Sequence, residues 1–421
     1  MVIGQGSAAA TLGEAEVAGI IAQALGPLEL DGRRVLAIIP DGTRTAPIPL
    51  MYRLLQEQLG PRVARLDFLI ALGTHKPMSD EAIDRLLGLP AAERAARHPN
   101  SAVVNHRWDL PETFATIGTI GAGEMAALTG GLLAAEVPVA LNRLIFDYDQ
   151  LIICGPVFPH EVAGFSGGAK YLFPGIAGAA IINVTHWLGA LVTSMDTIGV
   201  RETPVRRVIH RAAGFVDRPM LLLAMVLRGH DLHGLYAGPH EAAWRAAADL
   251  SAGLNIAYRP RPMRRVLSMA SPIYEDLWTA AKAMYKTEPV VADGGEVIIY
   301  APHITEVSYT HGALIDQVGY HVRDYFTGQW ERFKDLPGGI LAHSTHVKGH
   351  GSYDPATGVE RPRIQVTLAT GIPEERCRRI NLGYLDHRTV DPEEWRDREG
   401  EGILLVERAG EVLFRVGDAG L

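Results

Sequence analysis

Three short apolar runs limit the folds open to this chain: Arg34-Val-Leu-Ala-Ile-Ile-Pro40, Leu66-Asp-Phe-Leu-Ile-Ala-Leu72 and Leu151-Ile-Ile-Cys154. Each is too short for a core helix and too continuously apolar for a strand with one wet face, which is the pattern of strands buried on both sides in a parallel sheet. Each run also ends in a glycine- or proline-bearing polar loop. After the first comes a helix from about Pro49 to Leu59; after the second, a helix with Ser79 as N-cap and Asp80 and Glu81 in its first turn. Strand, loop and helix repeated in this way predict right-handed crossovers, and these bring the carboxyl ends of the strands to one edge of the sheet. Asp41 and Arg44, His75 and His160 follow the three runs, so polar groups far apart in sequence are expected to converge there.

At 421 residues, with 47% hydrophobic and 21% charged, the chain exceeds one ordinary core and predicts two domains. The expected class is α/β: two α/β domains with mostly parallel sheets and an active-site cleft between them. Residues 1–274 form the first and residues 275–421 the second. Residues 14 to 25 read as a short amphipathic helix, whereas residues 90 to 145, rich in Ala and Gly, give no ordered pattern. Arg265 to Pro272 reads as a further strand of the first domain, and Glu275 to Val291 as a long helix acting as the hinge. Glu296 to Pro302, Gly339 to Ser344, Arg379 to Tyr384, Gly402 to Glu407 and Glu411 to Val416 supply the strands of the second.

The net charge of −8 and the absence of a long basic run argue against a nucleic-acid surface. Pro219 to Leu227 is too short to span a bilayer, and the apolar stretch from Phe173 to Met195 is interrupted by Asn183, Thr185 and His186, so no membrane segment is expected. Two distant cysteines, Cys154 and Cys377, form neither a disulfide framework nor a CxxC knuckle. With no basic n-region ahead of an apolar core at the N-terminus, these features predict a cytoplasmic protein.

The chemistry concentrates in Gly155-Pro-Val-Phe-Pro-His-Glu-Val-Ala-Gly-Phe-Ser-Gly-Gly-Ala-Lys170. Gly164-Phe-Ser-Gly-Gly168 matches the G-x-S-x-G of a serine hydrolase, but that chemistry needs the serine at the turn directly after the strand, and Ser166 lies well beyond it. Gly168-Ala-Lys-Tyr171 fails as a Walker A ending, and His160-Glu161 lacks the second histidine of HExxH. A non-catalytic nucleotide-binding protein is a further alternative. Asp41-Gly-Thr-Arg44 suits a turn with a salt bridge, or an anion clamp in which Arg44 binds bidentately and Thr43 donates. His75 and His160 at neighbouring strand ends suit proton exchange. Lys170 is a candidate covalent or phosphate anchor; His186, in an apolar segment, is by default a core histidine and otherwise a metal ligand. His343, His346 and His350 have the look of a metal cluster, but beside Lys348 and flexible glycines they read as loop histidines in preference.

Asp41-x-Thr-Arg44, Gly73-Thr-His75-x-Pro77, Pro159-His160, Ala163-Gly-Phe-Ser-Gly-Gly-x-Lys170, Pro174-Gly-Ile176 and His186 together resemble, in order and spacing, the nickel-pincer lactate racemase family. The resemblance implies a racemase or epimerase of a 2-hydroxy acid working by hydride abstraction and return through a 2-keto acid. It also implies a nickel-pincer nucleotide, the pyridinium-3-thioamide-5-thiocarboxylic acid mononucleotide carrying nickel, and cofactor-synthesis proteins as partners. Residue by residue, Lys170 tethers the cofactor and His186 ligates nickel. Asp41, Thr43, Gly167 and Gly168 lie at the cofactor, His75 and His160 act as acid and base, and Arg44 and Lys282 bind the substrate. Leu277-Trp-Thr-Ala-Ala-Lys282 departs from the family, which tends to have Tyr-Gln where this chain has Trp278 and Thr279. Both positions belong to the substrate pocket, so the expected substrate is lactate or a related 2-hydroxycarboxylate.

Overall fold

The computed structural model describes residues 1–417, so residues 418–421 of the expected second domain lie outside the described residues. The chain divides into two units. One comprises Met1–Phe158, Phe165–Ile182 and Arg206–Leu254; the other comprises Pro159–Gly164, Asn183–Val205 and Asn255–Leu421. Each is built on its own sheet.

In the first unit the strands are β1 (Ile3–Gly6), β2 (Arg34–Pro40), β3 (Arg65–Ala71), β4 (Val103–Asn105), β5 (Gln150–Pro156), β6 (Met220–Arg228) and β7 (Asp231–Gly238). Their order across the sheet is β1-β7-β6-β5-β2-β3-β4. The run from β6 to β4 is parallel. β7 and β1 add an antiparallel edge. The three apolar runs of the sequence are therefore neighbours, with β2 between β5 and β3. Val35, Leu36, Ala37, Ile38 and Ile39 are all essentially inaccessible. Burial of each of the larger aliphatic side chains contributes about 1.5–3 kcal/mol, which is why β2 lies in the interior of the sheet and not at its edge.

The helices Glu14–Leu25, Ile48–Leu59 and Asp80–Leu87 form where the apolar spacing places them. Ser79 caps the last of these, its hydroxyl accepting the N–H of Ala82 at 3.3 Å, and Gly88 ends it with φ 68°. Within residues 90 to 145 the structure forms β4, an antiparallel pair, Phe114–Ile120 with Val137–Asn142, and two short helices.

The second unit contains β8 (Met263–Ala270), β9 (Val291–Ala301), β10 (Gln365–Thr370), β11 (Gly383–Tyr384) and β12 (Ile403–Ala409). Their order is β11-β10-β9-β8-β12, and every pairing is parallel. Several expectations are corrected in this unit. The strand of residues 265–272 pairs between β9 and β12, so it belongs to this unit and the division falls after Leu254 instead of at 275. His160 and His186, expected in the first domain with the other motifs, also fall in this unit. Trp187, Ala190 and Ile198 pack into its core, which gives the physical reason for the segment around His186.

The expected long hinge helix is instead two single turns, Leu277–Ala280 and Lys282–Tyr285, then a 3-10 turn Glu288–Val290 and the start of β9. Pro289 removes a backbone donor, so one continuous α-helix cannot run through to Val291. Finally, Gly339 to Ser344 is not a strand but part of the helix Gly338–Lys348, and the segment Arg379 to Tyr384 contains only the two-residue β11 after the helix Glu374–Arg379.

No helix among the described residues is long and apolar enough to cross a membrane. Cys154 and Cys377 are free and buried.

Candidate active site

In the first unit, register places Pro40 opposite Ala71, so the segments after β2 and β3 leave the sheet side by side. Asp41 is only 6% exposed and makes three contacts with its carboxylate. Oδ1 accepts the N–H of Thr43 at 3.1 Å and its hydroxyl at 2.6 Å, while Oδ2 lies 2.6 Å from Nδ1 of His75. Arg44 donates from Nη1 to the Thr43 hydroxyl at 2.9 Å and to the Thr43 carbonyl at 3.1 Å. Burial works to raise the Asp41 carboxyl, but His75, Arg44 and Thr43 outweigh it and hold the group well below the usual carboxylate range. An ionised carboxylate can only accept. Nδ1 of His75 therefore carries hydrogen, and in the neutral ring Nε2 keeps the lone pair. The loop itself is pinned, because the His75 N–H donates to the Leu72 carbonyl at 2.9 Å and the His75 carbonyl accepts from Nε1 of Trp108 at 2.8 Å. Gly73 turns with φ 59°, and no atom lies within 4 Å of where a Cβ would stand.

The glycine-rich loop of the same unit is shaped from behind. Gly167 and Gly168 have φ of 76° and 62°. A Cβ on Gly167 would meet Val157 Cγ2 at 2.6 Å, and one on Gly168 would meet the Trp244 ring at 3.0 Å, so both are glycines for conformation and for space. Nε1 of Trp244 donates to the Ser166 carbonyl at 2.9 Å, and Arg206 donates to the carbonyls of Gly167 and Phe165. The Ser166 hydroxyl accepts the N–H of Phe158 at 2.9 Å and donates to the Pro156 carbonyl at 3.3 Å. Its proton goes to a backbone carbonyl instead of a histidine, so Ser166 is a wall residue and not a hydrolase nucleophile. Lys170 sits half-buried in the 3-10 turn Gly168–Tyr171. Tyr171, which sequence reasoning missed, packs against Gly155. Burial raises the Tyr171 hydroxyl far above the usual range; Arg44 opposes that, and Cys154 and Asp41 reinforce it. It thus shares an electrostatic environment with the Asp41 cluster. Adjacency to Lys170 is the one signal that could have flagged it, and nothing in the sequence marks Trp108.

In the second unit His160 is 7% exposed. Its Nδ1 accepts the N–H of Val162 at 3.1 Å and lies 3.4 Å from a Glu161 carboxylate oxygen. With Nδ1 accepting, the neutral ring carries its proton on Nε2. This is the opposite arrangement to His75. His186 stands half-buried on the helix Ala179–Val192.

Lys282 donates to the Thr279 carbonyl at 3.1 Å and sits 4.6 Å over the Tyr274 ring. Asp276 caps the Leu277–Ala280 turn, accepting the Thr279 N–H at 3.0 Å and the Thr279 hydroxyl at 2.8 Å. The Thr279 hydroxyl proton is thereby committed to Asp276. Trp278 stacks on His343, with ring centroids 4.0 Å apart, and tilts against His311 at 4.6 Å.

His343 and His346, expected in a loop, lie buried on the helix Gly338–Lys348, while His350 is exposed just beyond it. The Tyr320 hydroxyl lies 3.2 Å from Nε2 of His343. Burial drives His343 well below the ordinary histidine value, and His346, His311, Lys282 and His186 push it the same way. One cluster of nitrogen bases thus links His186, Lys282 and Trp278 to two histidines that their neighbouring glycines had disguised.

Residues 14–199 match the family described as the lactate racemase N-terminal domain. A lactate racemase of Thermoanaerobacterium thermosaccharolyticum is 25% identical over 273 residues, covering 64% of this chain and 60% of that protein. One from Lactiplantibacillus plantarum is 24% identical over 272 residues, covering 63% and 59%. The match therefore spans about 60% of the length of these curated relatives. Among solved structures, a Thermotoga maritima protein superposes with a TM-score of 0.89 at 32% identity, over 98% of this chain and 100% of that one. The lactate racemase apoprotein from Thermoanaerobacterium thermosaccharolyticum shares the fold, with a TM-score of 0.70 at 19% identity over 94% and 92% of the two chains. Residues 14–199 thus carry the lactate racemase N-terminal domain, and the chain as a whole is related to the Thermotoga maritima protein.

Proposed function

We propose that this chain is an isomerase, a racemase or epimerase of lactate or a related 2-hydroxycarboxylate, and that it uses a nickel-pincer nucleotide. The observation that carries the proposal is the 2.6 Å Asp41–His75 pair at the ends of adjacent parallel strands, an imidazole oriented by a carboxylate and left with a basic Nε2.

The donor chemistry suits the cofactor. His186 belongs to a cluster of imidazoles and a lysine with His343, His346, His311 and Lys282. Nitrogen donors of this kind favour a late transition metal over magnesium or calcium. Lys170 lies in a turn whose glycines are packed from behind by Val157 and Trp244, which fixes the backbone that carries it. Lys170 would tether the group, His186 would ligate nickel, and Asp41, Thr43, Gly167 and Gly168 would border it. When bound, such a cofactor supplies an electrophilic carbon that takes hydride from C2 of the substrate and gives it back.

The chain's own residues handle the protons and the carboxylate. Nε2 of His75 accepts the hydroxyl proton of one enantiomer, and the Asp41 carboxylate stabilises the resulting imidazolium. His160, entering the step as the imidazolium beside the Glu161 carboxylate, returns a proton to the keto oxygen when the other enantiomer forms and is left neutral; in the reverse direction the two histidines exchange roles. Two such groups are required because the hydroxyl points to opposite sides in the two products. Arg44 and Lys282 are assigned to the substrate carboxylate, which they keep fixed while C2 inverts. Trp278 supplies a flat wall backed by His343, and Thr279, its hydroxyl held by Asp276, contributes shape. The natural setting is the cytoplasm, where Cys154 and Cys377 stay reduced, and the partners are the proteins that build the cofactor.

The test is a chiral assay of protein loaded by cofactor-synthesis proteins and nickel, run against a panel of 2-hydroxy acids. Interconversion in heavy water with hydrogen retained at C2, together with a mass adduct mapping to Lys170, is the expected result. Loaded protein that interconverts no member of the panel would return the chain to the non-catalytic nucleotide-binding alternative.

A further inference from the structure

Behind the glycine-rich loop, on residues that the proposed racemase chemistry does not use, lie His210, His240 and Glu241. Each offers one ligand atom, and these atoms all fall within 4.8 Å of one another. Three of the four imidazole nitrogens, Nδ1 and Nε2 of His210 and Nδ1 of His240, are buried and have no hydrogen-bond partner among the described residues. The rings lie nearly parallel, with centroids 5.9 Å apart and planes inclined by 11°. Glu241 turns one oxygen to 3.8 Å from Nδ1 of His210 and the other to 3.6 Å from Arg245. Buried nitrogen bases are ordinarily hydrogen-bonded; several left without partners at one spot mark a missing one.

We propose that His210, His240 and Glu241 bind one divalent transition metal of the zinc type, as a structural clamp separate from the nickel site. Two imidazoles and a carboxylate are borderline donors suited to such an ion, with water completing a tetrahedron. Metal–ligand bonds of about 2.1 Å in a tetrahedron put the ligand atoms about 3.4 Å apart, so any pair wider than that must draw in by side-chain rotation. The nearby Arg206 cation is engaged elsewhere: it lies 4.0 Å over the Trp244 ring and donates to the carbonyls of Gly167 and Phe165.

The location gives the clamp its consequence. His210 is one turn beyond Arg206 on the helix Pro204–Ala213, and His240 one turn before Trp244 on the helix His240–Asn255, so each pair shares a helix face. Arg206 and Trp244 are the side chains that hold the backbone of Phe165, Ser166, Gly167 and Gly168. Joining the two helices through a metal stiffens the support of the loop that carries Lys170.

The test uses the full chain, stripped with a chelator and free of nucleotide cofactor, titrated with Co2+ and read by its visible absorption, with Zn2+ as competitor. The expected result is one saturable equivalent, displaced by Zn2+, with a Zn2+-induced rise in Tm. His210→Gln and His240→Gln should each weaken binding by more than about tenfold and abolish the rise in Tm, whereas His186→Ala should leave both unchanged. Glu241→Gln alters a partly exposed side chain, so it provides a variant that folds, and it too should weaken binding. No saturable equivalent in the wild-type chain, or one that survives all three substitutions at 210, 240 and 241, overturns the proposal.

Discussion

The Asp41–His75 pair of the first unit and the His343–His346 helix of the second use the same side chain under opposite physical conditions. His75 is partly exposed, and a carboxylate at 2.6 Å fixes its tautomer. His346 is 3% exposed, with no hydrogen-bond partner on either nitrogen among the described residues, and burial depresses it to about 4 against only a weak opposing pull from Glu161. The first histidine has its tautomer set by a carboxylate; the second is kept neutral by burial. What separates them is the partner, a carboxylate in one case and packing in the other.

Turnover tests that contrast most strongly. With cofactor-loaded protein, His75→Ala or His160→Ala should lower racemisation about a thousandfold, measured by chiral chromatography. His346→Leu should cost less than about tenfold. Equal losses at 75 and 346 would erase the functional distinction between the two regions.

Asp41→Asn keeps the shape but replaces an acceptor with a group that can donate, so it removes the tautomer lock on His75. The expected loss is about a hundredfold, falling on kcat more than on KM. A change confined to KM would assign Asp41 to substrate binding instead of to His75.

The two regions should also lose stability in different pH windows. Unfolded histidine takes up a proton near 6.5, whereas folded His346 resists until about 4. The unfolded state therefore binds more protons between those values, and stability falls as pH drops from 6.5 to 4, by about 3 kcal/mol from this residue. His346→Leu should flatten that slope in denaturant titrations. Asp41, depressed from 3.8, contributes fully above 3.8 and loses its contribution only at lower pH. Asp41→Asn should accordingly leave the 6.5-to-4 slope intact, and a slope that vanished with it would invert the assignment.

The smallest effect belongs to the wall. Trp278→Leu removes the stack on His343 and should lower stability by about 1 kcal/mol, while shifting the ratio of KM values between a small and a bulky 2-hydroxy acid. An unchanged ratio would take Trp278 out of the substrate pocket.

The sheet of the first unit was legible because each strand carries its own signal. The run from Arg34 to Pro40 is apolar at every position after the first, and its predicted bounds are those observed. Ser79 announced its helix through the cap it makes. The second unit was less legible. Its strand Met263–Ala270 reads locally like any other, and only its partners on both sides reveal which sheet it completes. Flanking glycines make His343 and His346 read as loop residues, yet Gly338 and Gly339 open a helix and Gly349 closes it at φ 85°.

Sequence alone determined which residues have chemistry to offer and which strands are buried, since both depend on side-chain type and short-range spacing. Tertiary structure decided what each residue does with its chemistry. It joined Asp41 to His75 across a gap of more than thirty positions, turned the Ser166 hydroxyl onto backbone, committed the Thr279 hydroxyl to Asp276, and left the nitrogens of His210 and His346 without partners. A proton's affinity for a side chain is set by the few groups within hydrogen-bonding distance and by the water excluded around it. Those neighbours come from distant parts of the chain, so local spacing does not encode them.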